Sequence, residues 1–469
     1  MLIKNRRNSG LVLFHLLLPI LMVMIIFALA FACWFLYMAA GVGAAYGAKR
    51  IASEVFVAGR DAKSVVSQEL AFLPLLKYSV DTDARMVTAR VLGRRPKTAV
   101  YRDGLGVAIA HDGNIGALQQ QGRPGLLRME NLHADLPWPM GDAPSGNPHP
   151  SNIREKRLSA ALDHMFDEPE GSRKHRTRAV VVVYKGEIIA ERYADGFGPD
   201  QRFLGWSLAK GVVHALYGIA VHQGKLSTDD LAPFWQDEHD PRSAITIDML
   251  MRMTSGLAWD EYSVLPLSDL VISLLLQPSA AAYAADLPLA YPTDTVWRYS
   301  SGATNMLSEV LRQVYGDDAY YRLPYEKLFA KLGMRNAVIE ADAAGVYIGS
   351  SFLYATARDY ARLGLLYARD GVWQDTRILP KGWVKYGRTP TLRKSYGAHW
   401  WLPSVSARND AEERGTPLPK DFFYGMGFEG QTLSIIPSRD LVVVRLGLAH
   451  FRSIQPFDYI YDILDALPE

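Results

Sequence analysis

The chain has 469 residues, 49% hydrophobic and 21% charged, enough for a large packed core and too many for one ordinary domain. Its formal net charge of +2 gives no bulk electrostatic reason to expect a nucleic-acid partner. The single cysteine, Cys33, excludes an intrachain disulfide and a cysteine-built metal site. H-E-x-x-H is absent, Glu238-His239-Asp240 reads as a solvated loop, and neither a metal nor a cofactor is expected.

Residues 11–48 carry no Asp, Glu, Lys or Arg. About 20 apolar residues span a bilayer, so 11–48 reads as a transmembrane anchor in contact with lipid. Lys4, Arg6 and Arg7 place residues 1–10 in the cytoplasm. Trp34, Tyr37 and Tyr46 suit the far interface, and Pro19 suits a kink. Small residues around Ala45-Tyr46-Gly47-Ala48 also fit a cleaved signal peptide. A signal core of about 7–15 residues is much shorter than this run, which favours an uncleaved anchor. Either way the rest of the chain is exported. The expected location is a single-pass protein of the inner membrane whose main domain faces the periplasm or cell exterior.

Residues 49–133 form a small α/β region with no visible chemistry. Helical periodicity over 64–73 ends at Pro74, and 85–92 and 98–102 alternate as strands do. Pro137, Pro139, Pro144, Pro148 and Pro150, with Gly141, Ser145 and Gly146, mark 134–153 as a linker. The main domain then occupies 154–469. It opens with a helix over 154–166 and a hairpin of 179–184 and 187–192 across Lys185-Gly186.

Ser207 is the only serine with a lysine three residues on, Lys210. Leu208, Val212, Leu216 and Ile219 follow at helical spacing, so Ser207 lies in the first turn of a buried helix with Lys210 on the same face. A buried lysine loses its proton readily and becomes a base; a serine beside it becomes a nucleophile. The helix start adds N–H groups suited to an oxyanion. Alone this pair is a weak signal. Residues 218–225 look superficially like a phosphate loop, but the glycine spacing is one residue too long and Leu226 stands where Ser or Thr is needed.

A short helix over 248–253 ends at Thr254-Ser255-Gly256, and mostly helical sequence continues to about residue 325. A loop at the start of 349–370 leads into another helix. Near the C-terminus, 432–436 and 441–446 form a hairpin, and 457–467 closes the chain as a helix. Strands at both ends with helices between them predict an antiparallel sheet in which the first and last strands meet.

Three motifs in order carry a resemblance: Ser207-Leu-Ala-Lys210, Tyr299-Ser300-Ser301, and Gly425-Met426-Gly427. Family-like phrases lie between them, including Met253-Thr-Ser-Gly256 and Ala357-Arg-Asp-Tyr-Ala-Arg-Leu-Gly364. Over roughly 155–450 the chain resembles the serine β-lactamase and penicillin-binding-protein superfamily, in its class C-related branch with 6-aminohexanoate-dimer hydrolases and family VIII esterases. The resemblance implies an α+β, β-lactamase/transpeptidase-like fold, with an antiparallel sheet flanked by helices and a mostly helical subdomain. It implies that Ser207 forms an acyl-enzyme, that Lys210 takes its proton, and that Tyr299, its pKa lowered by neighbours, shuttles the proton to the leaving group. The backbone N–H groups of Ser207 and Phe428 would form the oxyanion hole. Ser301 and Gly427 would meet substrate, Glu429 a cationic substrate group, and Tyr262 would sit on a substrate-covering loop.

Two departures bear on specificity. Ser301 stands where the second motif often has Asn, and Gly425-Met426 replace the Lys-Thr of penicillin-recognising members. Arg393, Lys394 or His399 could substitute for the missing cation, and Gly425→Lys is expected to restore some β-lactam acylation. The leading reading is a membrane-anchored serine hydrolase of small-molecule amides or esters. The alternatives are a true β-lactamase or D-alanyl peptidase, and a non-catalytic membrane-tethered binding protein of the same fold.

Overall fold

The computed structural model describes residues 5–93, 96–126, 134–147, 150–168, 174–263, 268–449 and 454–468 (backbone only for 5–16). A continuous helix, α1 (Asn5–Phe56), opens the chain. Its section from Leu17 is long and apolar enough to cross a bilayer, as a signal sequence near an N-terminus also is. The apolar run of 11–48 divides in two. Most side chains from Leu17 to Tyr37 are exposed, whereas Ala40, Val42, Ala44, Ala45 and Ala48 are buried in protein. The reason is side-chain size. Ala and Gly at these positions bring the helix close to its neighbours, so that a Cβ on Gly47 would lie 2.7 Å from Leu76 Cδ1. The segment expected to end an anchor is therefore also the first core element of the N-terminal module.

Four antiparallel strands in sequential order pack on α1: β1 (Leu76–Asp81), β2 (Met86–Val91), β3 (Lys97–Arg102) and β4 (Gly106–Ile109). The sequence pattern anticipates β2 and β3. The half-exposed edge strand β1 and the four-residue β4 lack a long apolar alternation. A short helix at Ala62–Gln68, capped by Asp61, replaces the longer one expected over 64–73.

This module is keyed into the main domain. Glu340 of the main domain enters it, accepting from the Val107 N–H at 2.7 Å and Ser53 Oγ at 3.0 Å and pairing with Lys49. Gly106, at φ +65°, is required there, because a Cβ would meet Glu340 Cγ at 2.5 Å. Further along the interface the buried side chains of Arg50, Arg60 and Arg178 face Glu54, Glu69 and Glu429. The proline-rich 134–153 is likewise no loose linker. Its buried Trp138 donates to Gly186 O at 2.8 Å, and Asp142 gathers Arg335, Arg358 and Arg362.

In the main domain, α2 (Glu155–Phe166) precedes β5 (Thr177–Tyr184) and β6 (Glu187–Tyr193). Helices α3 (Ala209–His222), α4 (Ser301–Tyr315) and α5 (Ala357–Ala368) follow. The chain closes with β7 (Phe423–Gly427), β8 (Gln431–Ile436), β9 (Leu441–Gly447) and α6 (Ile460–Ala466). The sheet order is β7-β8-β9-β5-β6, all antiparallel, so the first and last strands do meet: Val442 pairs with Val183 and Val443 with Val182. Every residue of β5 is buried. One set of its side chains, Val180 and Val182, packs with Leu158, Leu162 and Ile460 of α2 and α6. The other set, Val181 and Val183, joins Ala361 and Leu365 of α5 in the core that extends through α3 to the helical region around Trp259 and Met306. The fold is of the β-lactamase/transpeptidase type.

Glu340→Ala would leave the buried Lys49 ammonium and the Val107 N–H without their partner. Breaking one side of a buried pair costs about 3–5 kcal/mol. Thermal unfolding of the whole protein in detergent should therefore show a clear loss of stability, and an unchanged midpoint would mean the module is not held through Glu340.

Candidate active site

Ser207 sits in a tight turn, Trp206–Leu208, immediately ahead of α3. The sequence expectation of a first helical turn is met in position, with 3-10 geometry at the serine itself. One turn on, Lys210 is buried at 1% exposure, and all of α3 through Ala220 is buried with it. Ser300 caps α4, accepting from the Ala303 N–H at 2.9 Å, which makes Ser301 the first helical residue and turns its hydroxyl toward Lys210. Ser207, Lys210, Tyr299 and Ser301, up to 94 residues apart in the chain, thus meet at the junction of sheet and helical region.

Lys210 Nζ has three partners: Ser207 Oγ at 3.1 Å, Ser301 Oγ at 3.2 Å and Ser350 O at 3.1 Å. Their directions decide the chemistry. A carbonyl only accepts. The Ser301 hydroxyl donates to Glu261 Oε1 at 2.7 Å, and the Ser301 N–H donates to Glu261 Oε2 at 2.9 Å. Its oxygen is thus left as an acceptor toward Lys210. Of the three, only Ser207 has a proton to give to a neutral Lys210.

Burial lowers Lys210 to about 8, with the Glu261 carboxylate pulling the other way. The lysine is therefore within reach of its neutral form near physiological pH. Tyr299 departs from expectation. Burial pushes its phenol well above 10, Glu261 adds to this, and a hydrogen bond with Ser207 only partly opposes it. Ser207 lowers it too little to offset burial, so Tyr299 stays a protonated phenol beside the serine. The Lys210 ammonium lies 4.8 Å from its ring centroid.

The third motif forms the opposite wall. At Gly427 the strand β7 passes so close to the Ser207 turn that a Cβ would lie 2.2 Å from Gly205 O. The next residue is Phe428, whose ring packs edge-on against Trp206 at 5.4 Å. Gly425 faces inward, where a Cβ would meet Leu208 Cδ2 at 2.9 Å and the Trp400 ring at 3.5 Å. A side chain at 425 would have to displace the tip of Leu208 and pass the Trp400 ring, so Gly425→Lys meets crowding there.

Glu429 is not available to a substrate amine. Its side chain is 2% exposed, and its Oε2 accepts from Trp206 Nε1 at 2.9 Å and Arg50 Nη2 at 3.3 Å. Tyr262 is exposed and stacks on Tyr299 at 6.5 Å between centroids; the loop continues into 264–267, outside the described residues. His399 supplies no substitute cation, because burial holds it well below 6.5; its ring nitrogens meet Lys210 O and Thr304 Oγ1. Lys394 lines a separate cavity of about 450 Å³ with Arg388 and Arg408. Arg393 lies over Trp297 at 4.5 Å and Trp401 at 5.7 Å, and both rings pack on Tyr299. Sequence reasoning missed Glu261, whose one signal was its place in Trp259-Asp-Glu261; the Trp259 indole donates to it at 2.6 Å.

A family model described as Beta-lactamase matches residues 162–447. A 6-aminohexanoate-dimer hydrolase from Paenarthrobacter ureafaciens is 26% identical over 331 residues, 62% of this chain and 77% of that one. A penicillin-binding-protein homolog from Caulobacter crescentus superposes with a TM-score of 0.51 at 17% identity, covering 68% of this chain and 99% of its own. EstCE1, a hydrolase with promiscuous acyltransferase activity, gives a TM-score of 0.51 at 18% identity over 67% and 98%. At these identities the two structures speak to the fold.

The geometry makes a pH prediction. If neutral Lys210 is the base, kcat/KM rises with pH and levels above about 8. Glu261 raises the lysine's pKa, so Glu261→Gln should move that rise to lower pH. A pH–rate profile with an ester substrate checks both; a limb that stays put in the variant would separate Glu261 from the base.

Proposed function

The chain belongs to the beta-lactamase family, and we propose that within it this protein is a membrane-anchored serine hydrolase that cleaves small amides or esters through a Ser207 acyl-enzyme. The observation that carries the reading is the direction of the hydrogen bonds around Lys210, which leaves Ser207 as the one proton donor to the buried amine. Ser207 Oγ attacks the substrate carbonyl carbon as its proton passes to Lys210 Nζ. The carbonyl oxygen gains charge between the N–H groups of Ser207 and Phe428. When the C–N or C–O bond breaks, the leaving group takes a proton from the Tyr299 hydroxyl, which recovers one from Lys210. Water then attacks the acyl carbon, its proton passing to the neutral Lys210 and from there to Ser207 Oγ as the acyl C–O bond breaks. A tyrosine held protonated suits this donor role.

Specificity follows from the third motif. A β-lactam or a peptide with a free carboxylate needs a cation where it docks, and Gly425 offers none. A lost charge-assisted hydrogen bond costs about 1.5–3 kcal/mol, or one to two decades in binding. Uncharged esters and amides lose nothing. Arg393 on its aromatic bed favours an anionic substrate.

The anchor reading is supported by where α1 is buried. Cleavage near residue 48 would strip Val42, Ala44 and Ala45 from the core they fill. The N-terminal sequence of the protein isolated from membranes should therefore precede residue 40, and a mature chain starting near Lys49 would sink the anchor while leaving export intact.

Ser207→Ala should abolish labelling by a fluorophosphonate probe and turnover, while thermal unfolding shows a native fold; undiminished labelling would move the nucleophile elsewhere. The wild-type protein should hydrolyse p-nitrophenyl esters with a kcat/KM far above that for nitrocefin. Comparable values for the two would replace this reading with a β-lactamase.

A further inference from the structure

We infer that Arg50, on the helix that continues out of the N-terminal apolar segment, is a positioning residue for the oxyanion-binding N–H groups of Ser207 and Phe428, an inference that rests on the serine-hydrolase reading above. Two residues flank those groups, Trp206 just before Ser207 and Glu429 just after Phe428. Both have left-handed backbone, with φ +49° and +62°. Non-glycine residues persist in that region only where their surroundings over-determine it. Backbone bonds brace each turn, Leu208 N–H to Gly205 O at 3.1 Å and Ala449 N–H to Glu429 O at 2.9 Å, and one side-chain oxygen links the two. Glu429 Oε2 accepts from the Trp206 indole at 2.9 Å, tying the two turns together, and from Arg50 Nη2 at 3.3 Å.

Arg50 also lies 5.5 Å over the Trp206 ring, and its side chain is only 4% exposed. Burial works against its charge, but Glu429 and Glu54 outweigh this and keep the guanidinium ionised. Without it, the Glu429 carboxylate would be a buried charge held by one neutral indole, near the Glu54 carboxylate that shares Arg50. Such a charge is drawn out to water. Its departure removes the side-chain tie between the two turns, and the spacing of the two N–H groups is then less tightly set. The Lys210 side of the site is separate: its partners are Ser207, Ser301 and the Ser350 carbonyl, none of which touches Arg50.

The experiment uses the full chain in detergent, with active sites titrated by fluorophosphonate so that only folded enzyme is counted. Arg50→Gln should lower kcat on a p-nitrophenyl ester about tenfold to a hundredfold, the range for a displaced catalytic group. KM and the midpoint of the pH profile should stay near wild type. Arg50→Lys, which keeps the charge, should regain much of the rate. Arg50→Gln with Glu429→Gln, which removes the stranded carboxylate, should outperform Arg50→Gln alone. Lys49→Met is the control for mere loss of docking: it breaks the neighbouring buried pair with Glu340 and should lower the unfolding temperature while the titrated enzyme keeps its kcat. A wild-type kcat in Arg50→Gln, or an equal loss in Lys49→Met, overturns the inference and leaves the serine mechanism standing. Failure of the wild-type protein to form a Ser207 adduct overturns both.

Discussion

The site depends on the confinement of one amine. Lys210 has three protein partners and next to no solvent, so its charge is costly and the orientation of its neighbours is fixed. The rest of the domain can be traced outward from those contacts. Glu261 sets the Ser301 hydroxyl, and the Trp259 indole sets Glu261. Asn305 on α4 accepts from the Ser350 N–H and so places the carbonyl that faces the lysine. His399 holds the lysine's own backbone oxygen and reaches Thr304, joining α3 to α4. Networks of this kind matter for geometry more than for stability, because each member is satisfied only when all are present.

The same economy governs the contact between the N-terminal module and the main domain. The buried pairs that cross it, Arg50–Glu429 and Arg178–Glu69, backed by Arg60 with Glu54 and Glu69 inside the module, are a poor source of net free energy, since desolvation offsets most of the attraction. An apolar interface would hold as well or better. What buried ion pairs supply is register: a helix turned or shifted by one residue would strand several charges at once. Ala- and Gly-rich packing of α1 against β2 then completes a fit that tolerates little sliding.

The fold was legible where local pattern and global position agree. Valine-rich β5 with its hairpin, and the C-terminal hairpin of β8 and β9, are bounded by turn residues and stand out without help. That Ser207, Lys210 and Tyr299 come together was legible because their spacing and neighbouring phrases are short-range features. What escaped is long-range. Arg50 and Glu429 are 379 residues apart, and nothing local marks either as the other's partner. Glu429 beside a strand edge reads as a solvated or ligand-facing carboxylate until the helix that covers it is placed. Trp400 under Gly425 is invisible for the same reason: a missing side chain is seen in sequence, but what fills the space is not. Tyr299 was misjudged in pKa because its environment is set by burial, which a motif does not report.

One consequence lies in the continuity of α1. Between Tyr37, the last exposed aromatic of its apolar section, and Arg50, in contact with the residue after Phe428, the helix is unbroken. At 1.5 Å per residue this stretch is about 20 Å long. If the exposed section lies in a bilayer, as proposed, Ser207 would have no tether on which to wander. It would be carried on a rigid post, at a height and facing fixed by helix length and pitch. Diffusing solutes would reach it at any height, but a substrate attached to a lipid or to an immobile polymer would meet it only within a narrow shell above the membrane. Lengthening the post by one residue would raise that shell slightly and rotate the domain by about 100°, so under the proposed anchoring the length of the post would itself limit what can reach Ser207.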